Sequence, residues 1–229
     1  MPALLFDLDG TLADTAPDLC AAMNHVLGQY GHPPIGIAAM RAMIGGGARV
    51  ILQRGFNACG VDITPTELDK ATELFLTYYD DNIDVHTKLY PHILSVLEAA
   101  QMADIKMAVV TNKREGLSAK LLYRLHIHRY FITLVGGDSL PTRKPDPAPI
   151  AEALRRLQVP PQEAVMIGDS EADVEAAKAA GVACVCVSFG YTQTPPAQLG
   201  ADALIDDFAE LIPTLQRLKP TLYSVFDVK

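Results

Sequence analysis

An apolar run that ends on two aspartates, Leu4-Leu5-Phe6-Asp7-Leu8-Asp9-Gly10-Thr11, constrains this chain more than any other stretch. Leu4 to Phe6 has no polar face and reads as the kind of strand that a parallel sheet buries on both sides. Asp7 and Asp9 stand two apart where the strand gives way to a turn at Gly10 and Thr11, so both can face one small space. Two carboxylates about 4 Å apart repel by roughly 4 kcal/mol at an effective dielectric near 20. Such a pair holds a proton or a divalent cation between its members. Taken alone, the same residues also suit a helix cap beside a solvated turn acid.

The pattern beyond Thr15 narrows the choice. Some seventy residues read as helix, with Leu19, Met23, Val26 and Leu27 on one apolar face, a helix over 35–44, one through Val50 to Phe56 and one opened by Thr64-Pro65-Thr66-Glu67. No clear strand is expected there. From Leu89 helix and strand alternate: helix 91–101, strand 105–110, a helix through Leu125, strand 132–135, helix 145–157, strand 164–167, helix 171–180, strands 182–187 and 203–205, and a closing helix 208–218. This order predicts an α/β fold, a doubly wound parallel-sheet (Rossmann-like) core built from residues 1–14 and 88–229, interrupted by an all-helical cap domain over 15–87.

Composition excludes several functions. The 229 residues are 49% hydrophobic and 20% charged, as globular chains are. A net charge of −8 argues against a nucleic-acid partner, which needs a basic face. Cys20, Cys59, Cys184 and Cys186 show no metal-binding spacing and read as reduced thiols. His126 and His128 lack a third ligand and read as a helix terminus. The chain opens on a strand rather than a basic segment with a long apolar run, and nothing in it is long enough to span a bilayer, so a cytoplasmic location is expected. The tail over 221–229 is left open between disorder and docking.

In an open parallel sheet, ligands bind beyond the carboxyl ends of the strands. The residues expected there are Asp7 and Asp9, then Thr111 and Asn112, then Asp169 and Ser170, with Lys144 just before a helix. Asp7, Asp169 and a carbonyl from Asp9 would supply oxygen ligands for Mg²⁺, braced by Ser170 and Asp173. Capping alone explains Asp169 and Asp173 but neither Lys144 nor Thr111.

These stretches resemble the four motifs of the haloacid dehalogenase superfamily: Asp7-Leu8-Asp9-Gly10-Thr11, Val109-Val110-Thr111-Asn112, Lys144-Pro145, and Gly168-Asp169-Ser170-Glu171-Ala172-Asp173. Ile44-Gly45-Gly46-Gly47-Ala48, Gly136-Gly137-Asp138-Ser139-Leu140-Pro141 and Lys144-Pro145-Asp146-Pro147 are similar to the bacterial phosphoglycolate phosphatases within it. Tyr90-Pro91-His92 departs from those relatives, which usually carry Gly after the Pro.

The resemblance implies a phosphatase in which Asp7 attacks phosphorus, Asp9 serves as acid and then base, and Thr11 orients Asp9. Thr111, Asn112 and Lys144 would hold the phosphoryl oxygens, with Mg²⁺ as cofactor. It further implies a helical cap that closes on a small phosphomonoester, with Gly46 and Arg49 as contacts to its leaving group. Membrane and nucleic acid are not expected as partners, and the protein is expected to be a monomer or homodimer. The alternatives are a sugar-phosphate phosphatase, including one for an amino-sugar 6-phosphate, a phosphomutase, and a regulatory module without turnover. A dehalogenase is disfavoured, because Asp9 and the cation site have no task there.

Overall fold

The computed structural model describes residues 1–227; the last two residues of the tail lie outside it. The chain divides into two compact units, Met1–Ala13 with Leu89–Lys229, and Asp14–Lys88.

In chain order the elements are β1 (Ala3–Phe6), β2 (Ala13–Asp14), α1 (Ala16–Gln29), α2 (Ile37–Arg41), α3 (Ala48–Ala58), α4 (Pro65–Asp81) and β3 (Lys88–Leu89). They continue with α5 (Ile93–Met102), β4 (Lys106–Val110), α6 (Glu115–Arg124), β5 (Thr133–Val135), α7 (Ala148–Leu157), β6 (Ala164–Gly168) and α8 (Glu171–Ala179). The chain ends with β7 (Ala183–Val187), β8 (Ala203–Ile205), α9 (Leu211–Leu218) and α10 (Pro220–Tyr223).

The first unit is a six-stranded sheet in the order β5-β4-β1-β6-β7-β8, and every pairing is parallel. β1 sits inside it, fully buried, as its uninterrupted apolar sequence requires. The chain builds outward from β1 on one side and then returns to build on the other, which makes the carboxyl end of β1 a topological switch point. Register then fixes the site: Phe6 pairs with Val109 on one side and Ile167 on the other, so Asp7, Thr111 and Asp169 emerge at nearly one level. Below them Leu5, Ala108, Val110 and Met166 pack with Ile150 and Leu154 of α7 and Val174 and Ala177 of α8. Each such side chain fully buried contributes about 1.5–3 kcal/mol.

The second unit is helical. Leu19, Met23, Val26 and Leu27 of α1 are all buried, and α3 approaches α1 where a side chain on Gly55 would strike Met23 Sδ at 2.5 Å. Thr64 and Glu67 form the expected capping box at the start of α4. Asp18, buried on α1, accepts from the backbone N–H groups of His86 and Thr87 and from Thr87 Oγ1 at 2.7–3.0 Å, which pins the segment leading out of the unit.

Three elements are shorter than the sequence suggests. α2 starts at Ile37 because the Asn24 side chain takes both backbone groups of Ile35, at 2.8 and 3.0 Å. α7 starts at Ala148 rather than 145, because Asp146 Oδ1 accepts from Ala148 N–H at 2.8 Å and holds a turn first. The closing helix is split: a 3₁₀ turn, Phe208–Glu210, precedes α9, with Asp207 accepting from Ala209 N–H at 2.7 Å. Short strands that the sequence did not signal, β2 and β3, pair where the chain leaves and re-enters the first unit.

The tail docks. Tyr223 is fully buried and its hydroxyl donates to Ala3 O at 3.1 Å. Cys20, Cys184 and Cys186 are buried free thiols and Cys59 is half-buried. No helix among the described residues is long and apolar enough to cross a membrane.

Candidate active site

Asp7 extends the β1 ladder by one bond, its N–H donating to Ile167 O at 2.9 Å, and then turns its carboxylate over the strand ends. Lys144 meets it from the loop before α7. Its ammonium group lies 2.9 Å from Asp7 Oδ1 and donates to Asp173 Oδ1 and Val110 O, both at 2.6 Å. Lys144 is 3% exposed, so this charge has left water and depends on those partners. Burial opposes its charge, yet Asp173 and Asp7 outweigh burial and hold Lys144 above the usual lysine range.

Asp173 serves two ends. One oxygen takes Lys144; the other accepts from Ser170 Oγ at 2.7 Å, Ser170 N–H at 3.1 Å and Asp169 N–H at 3.2 Å. It therefore both caps α8 and braces the site. Asp169 is set differently: Oδ2 accepts from Tyr191 N–H at 2.6 Å and Oδ1 from Thr11 Oγ1 at 3.4 Å. A side chain on Gly190 would strike Asp169 Cβ at 2.1 Å, and one on Gly10 would strike its Oδ2 at 2.5 Å, so two glycines make the room that Asp169 occupies.

Asp7, Asp169 and Asp173 each bring a carboxylate oxygen within 4.8 Å of the others. Burial pushes Asp7 up to about 6, with Asp173 and Asp9 adding to the shift and Lys144 opposing it. Burial and the neighbouring Asp173 and Asp7 likewise push Asp169 well above the carboxylate range. Asn112 Oδ1 is a buried oxygen without a hydrogen bond, and the Lys144 ammonium group at 2.9 Å is the ion-pair partner of Asp7 Oδ1. A cluster of hard oxygen donors in which Asp7, Asp9, Asp169 and Asp173 outnumber Lys113 and Lys144 fits a divalent cation. With Asp173 occupied by four donors, Asp7 and Asp169 are the side chains placed to hold it.

The structure corrects one expected contact. Thr11 is fully buried and turns to Asp169, not to Asp9. Asp9 is held instead by Lys113, whose ammonium group lies 2.9 and 3.3 Å from the two carboxylate oxygens. The reason is reach: a threonine hydroxyl two residues on, inside the turn, points back into the sheet, whereas a lysine crosses from the neighbouring strand end. Nothing in the spacing of Lys113 distinguishes it in sequence from a solvated lysine. Tyr191 and Gly190 carry no signal at all, since a backbone donor can come from any residue.

Thr111 is buried and its Oγ1 accepts from Lys113 N–H at 3.3 Å, which leaves its hydroxyl proton to give. Asn112 Nδ2 donates to Lys144 O at 2.8 Å, so that amide supports the lysine loop. Gly46 and Arg49 belong to the helical unit. Gly45, Gly46 and Gly47 have φ of 118°, 76° and 90°, and Arg49 Nε pairs with Asp69 at 2.8 Å in an exposed position.

Comparison with known proteins identifies the family. Residues 4–187 match the model of the haloacid dehalogenase-like hydrolases. The chain is similar to the phosphoglycolate phosphatase of Agrobacterium fabrum, 38% identical over 93% of this chain and 92% of that one. Among solved structures it is similar to a predicted phosphoglycolate phosphatase from Haemophilus somnus, with a TM-score of 0.90, 33% identity, and 94% and 98% of the two chains covered. It is also similar to a mutant of CbbY from Rhodobacter sphaeroides in complex with xylulose-(1,5)bisphosphate, with a TM-score of 0.77, 29% identity, and 92% and 96% covered. A match of this extent, over a site of this composition, means that the chain belongs to the haloacid dehalogenase-like hydrolases and is one of their phosphatases.

Proposed function

We propose that this chain hydrolyses a small phosphomonoester through an aspartyl-phosphate, with Mg²⁺ as cofactor and 2-phosphoglycolate as its leading substrate. The observation that carries the reading is the Asp7 carboxylate, buried at the switch point with the Lys144 ammonium group 2.9 Å from its Oδ1. A carboxylate that attacks a phosphate dianion needs a fixed cation at this place.

In the proposed reaction an Asp7 oxygen forms the bond to phosphorus as the ester P–O bond breaks. The leaving alkoxide takes the proton of the Asp9 carboxyl group. Water then attacks phosphorus, Asp9 removes its proton, and Asp7 is released as a carboxylate. Lys144 and the Thr111 hydroxyl meet the phosphoryl oxygens, while Asn112 acts by fixing the Lys144 loop. Asp7, Asp169 and a carbonyl of Asp9 would hold Mg²⁺, which supplies positive charge between the nucleophile and the phosphate dianion. Ser170 and Asp173 keep Asp169 and Lys144 in place.

Residues 15–87 are proposed as the cap that selects the leaving group, with Gly46 and Arg49 meeting the carboxylate of phosphoglycolate. The Arg49–Asp69 pair is exposed, and pairs of that kind contribute about 0–1 kcal/mol, so Arg49 exchanges partners at small cost. A sugar phosphate is the second reading, favoured by the likeness to CbbY with its bound bisphosphate.

The test is phosphate release from 2-phosphoglycolate, hexose phosphates, an amino-sugar 6-phosphate and nucleoside monophosphates, with Mg²⁺ or with EDTA. A kcat/KM preference for 2-phosphoglycolate that EDTA abolishes is expected. A metal-dependent preference for sugar phosphates would keep the chemistry and replace the substrate, and no turnover of any ester would overturn both.

A further inference from the structure

We infer that Lys113 is the positioning residue for Asp9, and that the Gly136–Ser139 turn exists to hold Lys113 in that role. The inference rests on the reading of Asp9 as acid and base and extends it to a residue of the loop between β4 and α6.

The geometry is specific. Lys113 reaches both oxygens of Asp9, at 2.9 and 3.3 Å, with side chains only 5% and 16% exposed. A carboxylate held at both oxygens by one cation cannot rotate freely about its last bond, and its position over the leaving group is thereby set. A lysine normally keeps its ammonium group in water, so burial here needs a partner, and Asp9 is one.

The backbone beneath Lys113 is unusually constrained. Gly137 N–H donates to Lys113 O at 2.7 Å, and a side chain on Gly137 would strike Asn112 O at 2.1 Å. Asp138 Oδ1 accepts from Glu115 N–H at 2.7 Å, which caps the first turn of α6 directly after the loop. Ser139 Oγ donates to the Glu115 carboxylate and accepts from Gly136 N–H at 2.8 Å, closing the turn on itself. The Gly-Gly-Asp-Ser sequence touches no group in the proposed reaction, and its contacts converge on the 112–115 backbone. It is the mould in which the Lys113 loop is cast.

Two arrangements of charge follow for the first half-reaction. Before it, Asp9 carries the proton that the alkoxide will take; after it, Asp9 is a carboxylate beside an ammonium group. Lys113 thus stands where the new anion forms, while the phosphoryl group is left to Lys144 and Thr111.

The experiment compares Lys113→Met, Lys113→Arg and Asp9→Asn on two esters, with Mg²⁺ present. One is 2-phosphoglycolate, or whichever alkyl phosphate the panel selects, whose leaving group needs a proton. The other is p-nitrophenyl phosphate, whose leaving group departs without one. kcat/KM for the aryl ester ends at release of nitrophenolate and so omits the second half-reaction. Lys113→Met is expected to lower kcat/KM about 100-fold on the alkyl ester, as a misplaced catalytic group does, and less than about fivefold on the aryl ester. The loss should fall on kcat rather than KM, and Lys113→Arg should recover most of it. Equal losses on both esters, or a loss confined to KM, would show Lys113 to be a phosphate ligand or a structural lysine and overturn the inference. Asp9→Asn separates the two levels. If it too affects both esters alike, the acid–base reading of Asp9 fails; if it discriminates and Lys113→Met does not, only the inference fails. Should Lys113→Met not fold, Lys113→Gln carries the same expectation.

Discussion

Asp173→Asn, which changes one atom, is expected to damage this protein almost as much as Asp173→Ala. Asp173 is fully buried and both its oxygens accept: Oδ1 from Lys144 at 2.6 Å, and Oδ2 from Ser170 Oγ, Ser170 N–H and Asp169 N–H. An amide has one acceptor, so its NH₂ must face either the ammonium group or the three donors. Removing one partner of a buried ion pair costs about 3–5 kcal/mol. Relief of the like-charge neighbour felt by Asp7 and Asp169 offsets part of that, and about 3 kcal/mol remains. For a chain of this size that lowers Tm by roughly 6–12 °C.

The pH dependence has a definite sign. The folded protein holds Lys144 above its ordinary value of 10.5. The stability this contributes is fully present below that value and is lost as pH rises through the folded value. The share of the Asp173→Asn deficit that comes from Lys144 should therefore be constant from about pH 7 to 9. Urea unfolding with and without Mg²⁺ measures it. A deficit under about 1 kcal/mol would refute the double-acceptor account of Asp173.

Four further outcomes are expected. Asp7→Asn should abolish turnover of every ester while leaving a folded protein, and substantial residual phosphate release would exclude the covalent route. Mg²⁺ at about 100 times its Kd should add about 2.7 kcal/mol of stability, and the gain should shrink below the value near 6 to which Asp7 is pushed, since a proton must leave before the cation binds; a gain equal at pH 5 and 8 would count against Asp7 as ligand. Gly190→Ala, whose added carbon meets Asp169 at 2.1 Å, should weaken Mg²⁺ binding about 10- to 100-fold, read from the same thermal shift. Tyr223→Phe should cost about 1 kcal/mol by removing the hydroxyl that meets Ala3 O at 3.1 Å, measured by denaturant midpoint.

What the sequence disclosed depended on the range of the forces involved. β1, β4 and β6 were legible because an unbroken apolar run followed by a polar turn has few other uses. Asp7, Thr111, Lys144 and Asp169 were legible together as residues at strand ends, and register alone brings three of them level. Failures came where a side chain overrode local preference. Asn24 shortens α2 by binding Ile35 from eleven residues away, and Asp146 delays α7 by one turn. Asp18 was invisible because a buried carboxylate on a helix looks the same in sequence as a solvated one. Lys113 was not legible, since its worth lies in a distance to Asp9 across 104 positions.

The placement of β1 has a consequence for synthesis. The strand that leads into Asp7 is made well before its partners, residues 106–110 and 164–168, and Tyr223 closes on Ala3 only after those. At ribosomal rates of ~5–20 residues per second, β6 follows β1 by roughly 10–30 s. Until β4 is made, Leu4, Leu5 and Phe6 have no strand to pair with, and they are the segment for a chaperone to shield. Changes that make those three residues more polar would ease that wait and weaken the finished sheet, so soluble yield and final stability are set against each other at the one strand the site cannot do without.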